Sequence, residues 1–87
     1  MTQQDINTIK RECFPDLVKL ADELEEKGYF VNITRSAGYL SLLCGMNTIL
    51  NGKEFSFMAY RYDTIREANT AFQKQLKAFR KEVLDGE

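Results

Sequence analysis

The dipeptide Asn51-Gly52, set between two runs of alternating side chains, constrains this chain more than any other feature of it. Asn-Gly is the preferred pair for a two-residue type I′ hairpin loop, because both loop positions need φ > 0. Such a loop fixes the register: residues whose numbers sum to 103 face each other, and alternation sorts their side chains onto two faces. Leu42, Cys44, Met46 and Leu50 join Phe55, Phe57 and Ala59 on one face, which reads as a core. Ser41, Leu43, Asn47, Ile49, Ser56, Met58, Tyr60 and Tyr62 occupy the other. An antiparallel sheet that faces water is ordinarily polar on its outer side, and this face is not.

Tyr29 to Arg35 alternates as well and is followed by Ser36-Ala37-Gly38, which has the composition of a turn. Folding it onto the next strand sets Ile33 beside Leu40 and Val31 beside Leu42, so the apolar face runs across all three strands. The strands of this antiparallel meander are expected at 29–35, 39–50 and 53–62.

Helices flank the meander. Over 2–27 the apolar residues Ile6, Ile9, Cys13, Leu17, Leu20 and Leu24 step by three or four, the period of an amphipathic helix. Thr2 and Asp5 have capping-box spacing, and Gly28 is a natural stop. Pro15 removes an intrahelical donor and restricts Phe14, which predicts a kink, with two separate helices as the alternative. Over 64–84, Thr64 and Glu67 repeat the capping pattern, and Ile65, Ala68, Phe72, Leu76, Phe79 and Val83 form one stripe. The expected fold is α+β: a two-layer sandwich of order α-β-β-β-α, with both helices on one face of the sheet.

A strand of about seven residues is matched in length by about 15 residues of helix. The first helix exceeds that. Its segment Thr2 to Phe14 is therefore expected to run past the sheet or fold back at Pro15, leaving Ile6, Ile9 and Phe14 in need of cover.

At 87 residues the chain has the length of one domain. A chain this short buries only about 60–65% of the surface its unfolded form exposes, so a second subunit would add appreciably to its stability. The net charge of −1 gives no overall attraction to phosphate backbones or anionic membranes. Cys13 and Cys44 both fall on apolar faces and read as reduced, buried thiols. The start Met-Thr-Gln-Gln-Asp has no basic stretch followed by an apolar core, and no apolar run approaches membrane-spanning length. A cytoplasmic chain without membrane contact is expected.

Three functional readings compete. The mixed sheet face and the overhanging segment point to protein binding, most simply to a second copy in a homodimer, through Phe30, Leu43, Met58, Tyr60 and Tyr62 on the sheet and Ile6, Ile9 and Phe14 on the helix. The bland reading of the same aromatics is that they are good strand formers. A basic stripe of Arg66, Lys74, Lys77 and Lys81 on the last helix is the second candidate, for nucleic acid or another acidic ligand, although exposed charge is the rule on such helices. The element order is also the topology of double-stranded-RNA-binding domains. Those grip phosphates with cations at the start of the last helix, where this chain reads Asp63-Thr64-Ile65-Arg66-Glu67-Ala68, so nucleic acid is disfavoured. An enzyme is the weakest reading: there is no histidine, no phosphate loop, no metal-ligand spacing, and Cys44 has no base near it in sequence. No cofactor, metal or small-molecule ligand is expected.

Overall fold

The computed structural model describes residues 1–46 and 52–85. Helix α1 (Gln3–Glu26) leads into strands β1 (Phe30–Arg35), β2 (Tyr39–Gly45) and β3 (Lys53–Met58), a short 3-10 turn η1 (Ala59–Arg61), and helix α2 (Ile65–Asp85). The sheet is antiparallel in the order β1-β2-β3, and both helices pack on one face of it.

The helix ends follow the sequence signals. Thr2 Oγ1 accepts from Asp5 N at 3.1 Å, and the Asp5 carboxylate accepts from Thr2 N at 3.2 Å. At the other end Gly28 has φ 96°. Gly28 N donates to Glu25 O and Tyr29 N to Leu24 O, the paired bonds of a Schellman stop. Thr64 Oγ1 accepts from Glu67 N at 3.1 Å and opens α2. Helix α1 runs unbroken through Pro15. Pro15 has no N–H to offer the Arg11 carbonyl, and both residues lie on the solvent-exposed side of the helix, where an unpaired carbonyl costs least.

The core lies between sheet and helices. Leu40, Leu42 and Cys44 of β2 and Phe55 and Phe57 of β3 are at most 4% exposed, as are Ile9, Cys13, Leu17 and Leu24 of α1. Phe72 of α2 stands edge-on to Phe55 and Phe57, with ring centroids 5.6 and 5.1 Å away, and Phe79 tilts against Phe55 at 5.7 Å.

Both expected faces are present, but both registers differ. Leu42 faces Phe55 and Leu40 faces Phe57, where the two-residue loop would have set them against Arg61 and Asp63. The aromatic partners bury more apolar surface, and the strands part at Gly45 and Lys53. Met46 therefore leaves the core face and is 45% exposed. Asn47, Ile49, Leu50 and Asn51 lie outside the described residues. Between β1 and β2, Ile33 faces Leu42 and Val31 faces Cys44, a shift of two residues. The turn is closed by Ser36 N donating to Tyr39 O at 3.0 Å, which places Gly38 beneath Tyr60. A Cβ on Gly38 would come within 3.1 Å of the Tyr60 ring.

Strand β3 also ends earlier than expected. Beyond Met58 the chain turns inward, and Ala59 is fully buried. This covers the first half of α1, which does not overhang: Ile6 is 8% and Ile9 0% exposed. Lys10 Nζ donates to Ser36 O at 2.7 Å and Gln3 Nε2 to Ala37 O at 3.1 Å, tying α1 to the β1–β2 turn.

Phe72→Ala should lower stability by about 3–5 kcal/mol, read as a fall in the urea midpoint at unchanged slope. Phe72→Leu, which keeps most of the plug, should lose about half of that or less. Equal losses for the two variants would show that Phe72 does not bridge the β3 aromatics.

Candidate functional site

The molecule has two dissimilar sides. On the sheet side the registers assemble the outward side chains in rows: Asn32, Leu43 and Glu54; Thr34, Ser41 and Ser56; Tyr39 and Met58; Phe30 and Gly45. The centre is polar and the ends are apolar. Phe30, 56% exposed, and Met46 lie near the end where β1 begins. At the opposite end Tyr60, also 56% exposed, rests on Gly38 and donates its hydroxyl to Met58 Sδ at 3.1 Å. Leu43, Tyr39 and Met58 are half-buried. Among the described residues no element lies over this face.

Of the residues expected to form a protein interface, Phe30, Leu43 and Met58 share this face and Tyr60 borders it. Tyr62 does not belong to it. Its ring stacks on Phe57 at 5.4 Å on the core side, and its hydroxyl accepts from Gln75 Nε2 at 3.0 Å. Ile6 and Ile9 are likewise withdrawn, since the chain's own η1 and α2 bury them. Phe14 is half-buried beneath the Arg35 guanidinium, 5.1 Å from its ring centroid, a cation–π contact that fastens α1 to the end of β1.

On the helix side, α1 and α2 run side by side in the same direction. Asn69 donates to Glu12 at 2.6 Å, Gln73 to Asp16 at 2.7 Å, and Arg80 to Glu23 through two bonds of 2.9 and 2.5 Å; each rung joins positions 57 apart. Between the last two rungs a groove of about 410 Å³ opens over Leu20 and Leu76, rimmed by Lys19 and Lys77. Arg80 holds the Glu23 carboxyl below its ordinary pKa of 4.5. The contribution of this pair is present above that value and is lost as the pH falls through the lowered folded one. Arg66, Lys74, Lys77 and Lys81 are exposed, and among the described residues none makes an ion pair. Of these four, Lys77 lines the groove together with Asp16 and Glu23 of α1. Sequence periodicity located both helices but not the rungs, whose signal is the constant offset of acids on α1 from amides and Arg80 on α2.

Neither thiol is set up as a nucleophile. Cys13 is 1% exposed, donates to Asn69 Oδ1 at 3.3 Å, and is pushed up to about 12 by burial and then by the nearby Asp16 and Glu12. Burial also raises Cys44, against a smaller opposing effect of Lys53. Among the described residues no group of three or more His, Cys, Asp or Glu gathers that could hold a metal ion, and no helix is long and apolar enough to cross a membrane.

Both thiols should react with a disulfide reagent at pH 8 at least about 100-fold more slowly in the folded chain than in denaturant, because access requires opening. The folded thiol of Cys13 ionises only near 12 while the unfolded one does so near 9.0. Its contribution to stability is therefore complete below pH 9 and declines as pH rises toward 12, a loss that Cys13→Ala should remove. Fast labelling of the folded chain would contradict this burial. No protein-family model matches the chain, and neither a curated protein nor a solved structure matches it.

Proposed function

We propose that this chain is a non-enzymatic protein–protein interaction module that associates with a second copy of itself through its sheet side. One observation carries the reading. The exposed large apolar side chains among the described residues are Met1, Phe30, Met46 and Tyr60, so apart from the terminal Met1 they all lie on the strands or at their ends. The helix side has none of them: three polar rungs cross it, and the Leu20 and Leu76 side chains under its groove are buried. Exposed aromatic and Met side chains at the margins of an uncovered sheet have the composition favoured at protein interfaces.

The chemistry inside the molecule supports binding over catalysis. Its nucleophile candidates, Cys13 and Cys44, are protonated and buried, with no histidine in the chain to activate them. Two free thiols also suit the reducing cytoplasm. A net charge of −1 sets little long-range repulsion between two copies.

Sedimentation across a concentration series tests the reading. Wild type should show a concentration-dependent dimer. Phe30→Asp should weaken it about tenfold or more by placing a charge in an apolar contact, whereas the helix-side double variant Lys77→Glu, Lys81→Glu should leave it unchanged. A chain that stays monomeric to about 1 mM, where even millimolar affinity populates a dimer, would remove self-association. Loss of the dimer in the lysine variant alone would move the interface to α2.

A further inference from the structure

We infer that two copies join edge to edge along β1, in antiparallel register about Asn32, to make one continuous six-stranded sheet. The inference rests on sheet-side self-association and specifies its seam. The two edges of the sheet are not equivalent. β3 begins with Lys53 and Glu54, and Lys53 reaches across to Glu82 of α2, with Nζ 3.6 Å from its carboxylate and 3.4 Å from its carbonyl oxygen. Charge and a neighbouring helix are devices by which sheets blunt an edge. β1, Phe-Val-Asn-Ile-Thr-Arg, has no proline and no charge before its last residue, and among the described residues nothing pairs with its outer side.

The backbone shows which groups that edge offers. Ser36 N donates to Tyr39 O, so 36 and 39 form a hydrogen-bonded pair. Bonded pairs alternate along an antiparallel ladder, which gives Thr34, Asn32 and Phe30 the bonds to β2. The N–H and C=O groups of Val31, Ile33 and Arg35 therefore point outward. The side chains of Val31 and Ile33 lie on the core face and are only half-buried, so the core is incomplete at this edge.

A second copy fits this edge because the strand is complementary to itself. With Asn32 on the two-fold axis, Val31 faces the second copy's Ile33 in a hydrogen-bonded pair, and each copy's core continues into the other's. Phe30 faces Thr34, the two Asn32 amides face each other, and Tyr29 faces Arg35, so no like charges are opposed. The neighbouring bonded register, with Ile33 on the axis, sets Arg35 against Val31 on the core face and is poorer. Asn32 then forms a non-hydrogen-bonded pair, with Cα atoms about 4.5 Å apart, inside the range a disulfide spans. Thr34 lies two residues from the axis in each copy, which separates the two Thr34 by roughly 13 Å.

The single substitutions Asn32→Cys and Thr34→Cys, each adding one exposed thiol to the whole chain, test the seam under mild oxidation, with wild type, whose own two thiols are buried, as the background. Asn32→Cys should form a covalent dimer about tenfold faster than Thr34→Cys. Amides 31, 33 and 35 should also gain exchange protection as concentration rises. A wild-type dimer in which both variants crosslink equally, or neither does, overturns the β1 seam and leaves sheet-side association standing. A chain that is monomeric throughout, with neither variant crosslinking, overturns both.

Discussion

Leu40, Leu42 and Cys44 on the central strand are at most 1% exposed, and burying them determines most of what surrounds them. Successive side chains of a strand point to opposite faces, so this burial sends Tyr39, Ser41 and Leu43 outward. Phe57 and Phe55 pair with Leu40 and Leu42, and Phe72 closes the layer from α2. Three strands cross the sheet an odd number of times. The chain consequently enters α2 at the end of the sheet where α1 began, and the two helices run parallel.

Parallel neighbours bring like ends of two helix dipoles together, a mildly unfavourable arrangement. The rungs from Glu12, Asp16 and Glu23 to Asn69, Gln73 and Arg80 offset it with charge-assisted hydrogen bonds along the seam. They also commit much of the polar capacity of the helix side internally. Arg80 is the plainest case: it belongs to the extended basic region of α2, but its guanidinium is held by Glu23.

Element types, helix stops and the two faces of the sheet were legible in the sequence because they depend only on period and parity. Register was not. A strand slipped by two or by six residues keeps every side chain on its face, so Leu42 is buried under either pairing and alternation cannot choose between them. Tertiary details chose instead: Gly38 leaves room for Tyr60, and Phe55 and Phe57 suit Leu42 and Leu40 better than Arg61 and Asp63 would. The misplacement of Ile6, Ile9 and Tyr62 has one further cause. Continuing β3 to residue 62 leaves α1 overhanging an empty end, whereas a turn at Ala59 brings Tyr62 onto Phe57 and fills that space. Phe30, Leu43 and Met58 kept their outward positions because parity alone assigns them.

The composition of the outer face reflects two requirements on one surface. One of its two middle rows is Thr34, Ser41 and Ser56, small polar side chains that pair across the strands. Apart from the half-buried Leu43, its apolar residues Phe30, Tyr39 and Met58 sit at the two ends, and on the opposite face of the β1 margin Val31 and Ile33 are half-covered. A uniformly apolar face would bind without selectivity. In the proposed dimer, a polar centre with apolar margins would favour a partner that approaches from the edge, where backbone hydrogen bonding would impose direction and register on the contact.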